Sequence, residues 1–218
     1  MGMKRSILTT AALVALSAMA ITSAGEAAKP APGTLTIAAD HANVKCGAGV
    51  TLSGKLSGSN VSGRSVRVEQ DVYPLNAFTN AGSATTNATG DWSLAVKPTA
   101  NTRYRASAGK VDSPTVDVLV RPAITLRLSD RTPKRGQRVR FSGRLCPEHD
   151  AVAIELQRKT SSGWKKVASP VLADIPGGTC SKYSVRKRVR RSGSYRAHFN
   201  ADADHAAGNS PRRRATVH

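Results

Sequence analysis

From residue 34 onward, apolar side chains recur at every second position in short bursts. Val50 and Leu52 alternate with Thr51 and Ser53; Val66 and Val68 flank Arg67; Trp92, Leu94 and Val96 flank Ser93 and Ala95; Val139 and Phe141 flank Arg140. A period of two marks a strand with one buried face and one wet face. Gly, Ser, Pro, Asn and Asp punctuate the bursts, and no stretch holds the helical period. The pattern predicts strands near 34–38, 50–56, 65–72, 77–85, 91–97, 102–108 and 115–121. A second series follows near 124–128, 138–145, 152–158, 164–171, 182–189, 194–200 and 213–217.

The two series are copies of one pattern. LTIAADHANVKCGAGVTLSGKL (35–56) aligns with ITLRLSDRTPKRGQRVRFSGRL (124–145), placing Leu35 on Ile124, Val50 on Val139, Gly54 on Gly143 and Leu56 on Leu145. SVRVEQ (65–70) then matches AIELQR (153–158), Phe78 answers Trp164, DWSLAV (91–96) matches KYSVRK (182–187), and NTRYRA (101–106) matches SGSYRA (192–197). So many matches in one order define a tandem repeat. About seven strands in about 90 residues imply an antiparallel sandwich for each copy. The boundaries are 34–121 and 122–218, and a junction of Arg121, Pro122 and Ala123 predicts a semi-rigid rod.

Residues 1–33 stand apart from this pattern. Lys4 and Arg5 precede an apolar run from Ile7 to Ile21, followed by small residues with acceptable cleavage points at Ala20, Ala24 and Ala27. That order is a secretory signal peptide over 1–27, with processing expected between Ile21 and Ala28. Residues 28–33, with Pro30 and Pro32, form an extended lead. The run is short and interrupted by Ser and Thr, which argues against a membrane anchor. No second apolar run follows, so the expectation is a secreted, extracellular protein with no membrane span in the mature chain.

The chain resembles bacterial immunoglobulin-like repeats of the actinobacterial type, found in secreted proteins rich in Ala and Arg. The second repeat carries most of the resemblance: GQRVRFSGRLCPEH, VAIELQR, GWKKVA and YRAHFNADADHAAGNSP. The resemblance implies an all-β chain of two tandem immunoglobulin-like antiparallel β-sandwiches after the signal peptide. It puts Tyr104 and Tyr195 at the tyrosine corner that opens strand F. The positions of the antibody core disulfide hold Leu52 and Ala106, or Phe141 and Ala197, and strand C lacks Trp. Such a scaffold hosts unrelated activities and names none.

Charge separates the two copies. The chain carries a net +19, but residues 122–218 hold 21 Lys and Arg against 7 Asp and Glu, while residues 29–121 hold 10 against 6. Tyr183, Val185 and Val189 share the inward parity of strand E, so Arg186, Arg188 and Arg190 point outward. Strand E of such a sandwich pairs with strand B, where Arg138, Arg140 and Arg144 point out, and strand B pairs with strand A, which carries Arg127. Seven arginines are thus expected on one outer face. The matching positions of the first copy are Thr36, Thr51, Ser53, Lys55, Ser93, Ala95 and Lys97. This face is expected to capture an anionic cell-wall polymer or polysaccharide, with nucleic acid bound non-specifically at most, since no aromatic residue interleaves with the arginines to stack on bases. A solubilising surface on a structural, spacer or presenting module is the alternative.

Cys146 ends strand B and Cys180 precedes strand E, so both fall at one end of the sheet and an exported chain is expected to join them. The bridge closes a loop of about 34 residues, worth on the order of 3–4 kcal/mol in the chain-entropy account. Cys46 has no partner in its own copy and is expected as a free thiol. A metal centre using both cysteines with His149 matches no zinc spacing. Asp202, Asp204 and His205 lie in an F–G loop six residues longer than its counterpart, and no calcium-loop spacing is present there. No metal and no cofactor are therefore expected. His41, His149, His198, His205 and His218 sit beside no nucleophile motif, and no glycine run joins a strand to a helix to cradle phosphates. The expectation is a protein without enzymatic activity; an exported hydrolase on a sandwich scaffold is the remaining alternative.

Overall fold

The computed structural model describes residues 33–74 and 76–218; the signal-peptide reading and nearly all of the extended lead lie outside these residues. The described chain is all-β and falls into two groups of sheets. The first holds β1 (Thr34–Leu35), β2 (Ala38–Ala39), β3 (Asn43–Lys45), β4 (Val50–Ser57), β5 (Ser65–Val72), β6 (Thr79–Thr85), β7 (Asp91–Val96), β8 (Thr102–Ala108), β9 (Val111–Asp112) and β10 (Val116–Arg121). The second holds β11 (Ala123–Ile124), β12 (Arg127–Leu128), β13 (Arg138–Cys146), β14 (Glu155–Thr160), β15 (Gly163–Ala168), β16 (Ser181–Arg188), β17 (Gly193–Phe199), β18 (Gly208–Asn209) and β19 (Arg213–Ala215). Among the described residues no helix is long and apolar enough to cross a membrane.

Each group has two sheets. In the first, β4 pairs with β1, β2 and β7, while the other sheet runs β3-β10-β8-β5-β6 with β9 added to β8. In the second, β13 pairs with β11, β12 and β16, while the other sheet runs β15-β14-β17-β18 with β19 also on β17. Among the described residues every pairing is antiparallel except β3 with β10. The inward residues of both sheets join in one core per group. Val50, Leu52 and Trp92 meet Val66, Val68, Tyr104 and Val118 in the first. Val139, Phe141 and Tyr183 meet Leu156, Tyr195, Ala197 and Phe199 in the second. Burying such a side chain fully contributes roughly 1.5–3 kcal/mol, so alternation alone supplies the driving force for each pair of sheets.

The repeated glycines have a shared physical cause. A Cβ on Gly54 would run into the Thr36 carbonyl and the Trp92 ring, and one on Gly143 into the Thr125 carbonyl and the Tyr183 ring. The threonines also repeat a bond: Thr36 Oγ1 accepts from the Lys55 amide at 2.9 Å, and Thr125 Oγ1 from the Arg144 amide at 2.9 Å. The aromatic match holds too. Arg105 lies 4.1 Å over the Phe78 ring, and Arg196 lies 4.3 Å over the Trp164 ring.

Three short strands escape the alternation pattern: β3, β9 and β18. In β3 only Val44 is buried, between exposed Asn43 and Lys45, which is too little to show a period. Chain reversal also costs one inward position, since Lys187 holds the inward parity of β16 yet is exposed near the strand end. At Tyr104 the expected tyrosine-corner hydrogen bond is absent. The Tyr104 hydroxyl is buried with no hydrogen-bond partner among the described residues, and its burial pushes the phenol pKa up to about 12. Tyr183 instead donates to the Thr125 carbonyl, linking β16 to the segment between β11 and β12.

Only Pro122 separates β10 from β11. The long loop after β17 reinforces this junction. The Asn101 amide donates to the Asp204 carbonyl at 2.7 Å, the Ala206 amide to the Val120 carbonyl at 2.8 Å, and the Asn101 side-chain amide to the Ala203 carbonyl at 3.1 Å. The extra residues of that loop therefore bind the end of the first group of sheets.

Candidate functional site

The register of β13 against β16 decides where the arginines meet. Arg138 lies opposite Arg188, Arg140 opposite Arg186, and Arg144 opposite Lys182. Directly opposed residues of an antiparallel pair bring their Cβ atoms to about 4.5–5.5 Å. These are like charges in adjacent rows, on positions that alternate with buried Val139, Phe141 and Leu145. Arg127 on β12 faces Ser142 on β13. All seven arginines named from the sequence are exposed.

Their distribution over the surface is uneven. Arg127, Arg140, Arg144 and Lys182 line a groove of about 970 Å³, whose other wall is Val171, Ala173 and Ile175. Arg138, Arg140 and Arg186 surround an adjoining hollow with Ser129. Arg188 and Arg190 lie at a smaller opening of about 200 Å³, with Phe141, Val189 and Tyr195 at its apolar base. Arg190 falls after β16 ends and does not share the groove. The sequence reading omitted Lys182, although it has the same parity as Arg186. It also missed the apolar wall, where Val171 is 59% exposed. The wall exists because residues after β15 return to the sheet through bridges of Val171 to Ala153 and Ala173 to Lys182.

Ion pairing separates these cations from those of the first group. Arg67 and Arg105 both reach Glu69, at 3.2 and 2.7 Å, and Arg103 reaches Asp117 at 3.1 Å. Lys55, which aligns with Arg144, sits 3.7 Å from Asp91. None of the seven arginines is within ion-pair distance of a carboxylate among the described residues. A second cationic cluster, unanticipated from the sequence, surrounds Trp164. Lys159, Arg196 and Arg212 lie 5.8, 4.3 and 5.4 Å from its ring centre. Burial lowers the Arg196 pKa, and Arg212 nearby adds to that.

Cys146 and Cys180 form a disulfide with Cα atoms 4.4 Å apart. This removes both sulfurs from the metal centre considered with His149. Cys46 is a free thiol, and burial raises its pKa. Of the F–G loop residues, Asp202 and His205 gather with His149, but Asp204 is not part of that group. A second cluster, Glu148, Asp150 and Asp174, is fully on the surface. There the hydrogen bond and charge of Asp150 raise the Glu148 pKa.

No family model matches this chain, and no curated protein matches it.

Proposed function

We infer that the chain is a secreted, non-enzymatic protein of two immunoglobulin-like sandwiches that binds an anionic polymer through the outer face of β12, β13 and β16. The strand orders support the immunoglobulin-like reading: each group sets a four-stranded sheet against a longer one, and in the first group β3 runs parallel to β10 at the edge of the longer sheet. The observation that carries the binding reading is the set of opposed, unpaired cations, Arg138 with Arg188, Arg140 with Arg186 and Arg144 with Lys182. A folded chain keeps such a charge array without internal counterions, so the array is poised to exchange small anions for a multivalent one. The groove beside it, of about 970 Å³, suits a chain of anionic groups, such as an acidic cell-wall polymer or sulfated polysaccharide. Nucleic acid would bind there by its phosphates alone. The first group of sheets, whose corresponding face is neutral or ion-paired apart from Lys97, serves as a spacer.

Heparin and polyphosphate titrations over a range of salt concentrations test this reading. Displacing condensed counterions makes affinity fall steeply with salt; on duplex DNA the log–log slope is about 0.9 per phosphate contacted. A protein that retains neither polymer at low salt would leave the alternative, a structural or presenting module whose charge serves solubility.

A further inference from the structure

The loop at residues 147–150 and the loop at residues 202–206 bring His149, Asp202 and His205 together. One ligand atom of each lies within 4.8 Å of the other two. His149 Nε2 is 3.3 Å from Asp202 Oδ2, without the alignment of a hydrogen bond. The His149 side chain is 6% exposed and His205 is 3% exposed. In each ring one nitrogen has no hydrogen-bond partner among the described residues: Nε2 of His149 and Nδ1 of His205.

The partners of the other two nitrogens settle the tautomers. His149 Nδ1 lies 3.0 Å from the Pro147 carbonyl, and His205 Nε2 lies 2.8 Å from the Thr99 carbonyl. A carbonyl only accepts, so those nitrogens carry the hydrogens. The unpartnered nitrogens of the neutral rings then carry lone pairs. Asp202 Oδ1 is used by the His205 amide at 2.7 Å, which leaves Oδ2 turned toward His149. Two buried lone pairs and a carboxylate oxygen converge with no donor between them. A bound cation makes that arrangement favourable, and a second proton on His149 beside Asp202 is the competing way to satisfy it.

We propose that His149 Nε2, His205 Nδ1 and Asp202 Oδ2 bind a divalent transition metal of the zinc class, with water completing the coordination. Three protein ligands and an open position form a familiar zinc arrangement. Metal–nitrogen bonds of about 2.0–2.1 Å put neighbouring tetrahedral ligands about 3.3 Å apart, the separation already found between His149 and Asp202. The backbone carbonyls behind both rings provide the outer support that ligating histidines need, fixing tautomer and orientation. Two imidazoles disfavour calcium and magnesium, which take oxygen ligands. Phe199 closes one side, its ring edge-on to His149 at 4.9 Å. The ion would tie the loop after the disulfide to the loop that contacts the first group of sheets, because Thr99 belongs to that group.

Titration of the chelator-treated chain with Zn²⁺ and Co²⁺ tests the site. The expected result is one tight equivalent, a thermal midpoint that rises with metal concentration, and intense visible bands from four-coordinate Co²⁺. His149→Gln and His205→Gln should each abolish the tight equivalent, while a chain carrying His41→Gln, His198→Gln and His218→Gln keeps it. Binding that survives His149→Gln and His205→Gln, or is lost with the three other histidines, overturns the proposal. If the Gln variants fail to fold, ring-nitrogen NMR of the unaltered chain decides. Zn²⁺ should shift His149 Nε2 and His205 Nδ1 specifically, and His149 protonated on both nitrogens with spectra unmoved by Zn²⁺ overturns the site.

Discussion

The two groups of sheets share one scaffold and differ in what covers it. Gly54 and Gly143 admit the same carbonyl, Thr36 and Thr125 hold the same amide, and Phe78 and Trp164 stack the same arginine. On the outer face of the central strand the copies part. Thr51 faces Ala95 and Lys55 faces Asp91 in the first, where the second has Arg140 facing Arg186 and Arg144 facing Lys182. Inward positions are held by packing, since a lost methylene or an added one costs energy in either copy. Outward positions are free of that constraint, so charge can accumulate on one copy while the fold stays the same. The common residues therefore serve the fold, and the divergent outward ones form the proposed binding face.

The largest expected difference between the copies comes from the disulfide, which only the second possesses. Replacing Cys146 and Cys180 by Ala should destabilise the second group by about 3–4 kcal/mol. The measurement is hydrogen exchange at the amides of β13 and β16 against those of β4 and β7. The first set should lose protection and the second keep it. Equal loss in both would mean that the two groups unfold as one unit.

The next effect should be the same in both copies. Gly54→Ala and Gly143→Ala each force a Cβ against backbone, and overpacking of that kind costs typically about 1–3 kcal/mol. Denaturant midpoints of the two variants check this. If one is tolerated, the shared role of these glycines fails for that copy.

The smallest effect should differ in sign. Arg140→Ser relieves the repulsion with Arg186 and should raise stability slightly at low salt, within about 0.5 kcal/mol. Lys55→Ser, on the matching strand of the first copy, removes a partner of Asp91 and should lower stability instead. Both shifts should fade as salt screens them. Thermal melts of the two variants at low and high salt measure the contrast, and a destabilising Arg140→Ser would show that the arginine has a structural partner.

Much of this was legible in the chain because alternation and repetition are local. The long strands β4, β5, β7, β8, β13, β16 and β17 carry several inward residues each, and parity then assigned the outward arginines. Strand β3 was invisible because one buried valine makes no period. The groove's apolar wall was hidden for another reason: Val171 and Ile175 read as loop residues, and only the return of that loop to Ala153 and Lys182 places them. His149, Asp202 and His205 were each noted, but in different company. His149 lies 53 residues before Asp202 in the chain, and nothing local signals that their loops face each other. The contacts of Thr99 and Asn101 with the loop after β17 span more than 100 residues and have no sequence pattern at all.

The most direct test of the central claim is a charge-matched pair of variants of the chain. One carries Arg140→Ser, Arg186→Ser and Arg188→Ser; the other carries Lys159→Ser, Lys165→Ser and Arg212→Ser on the opposite sheet and its loops. Both lose three positive charges, so net charge alone predicts identical behaviour. The salt dependence of binding to duplex DNA should flatten in the first variant by about two to three units of log–log slope and stay near that of the unaltered chain in the second. Equal flattening in both, or a larger effect in the second, would contradict a binding face on β13 and β16.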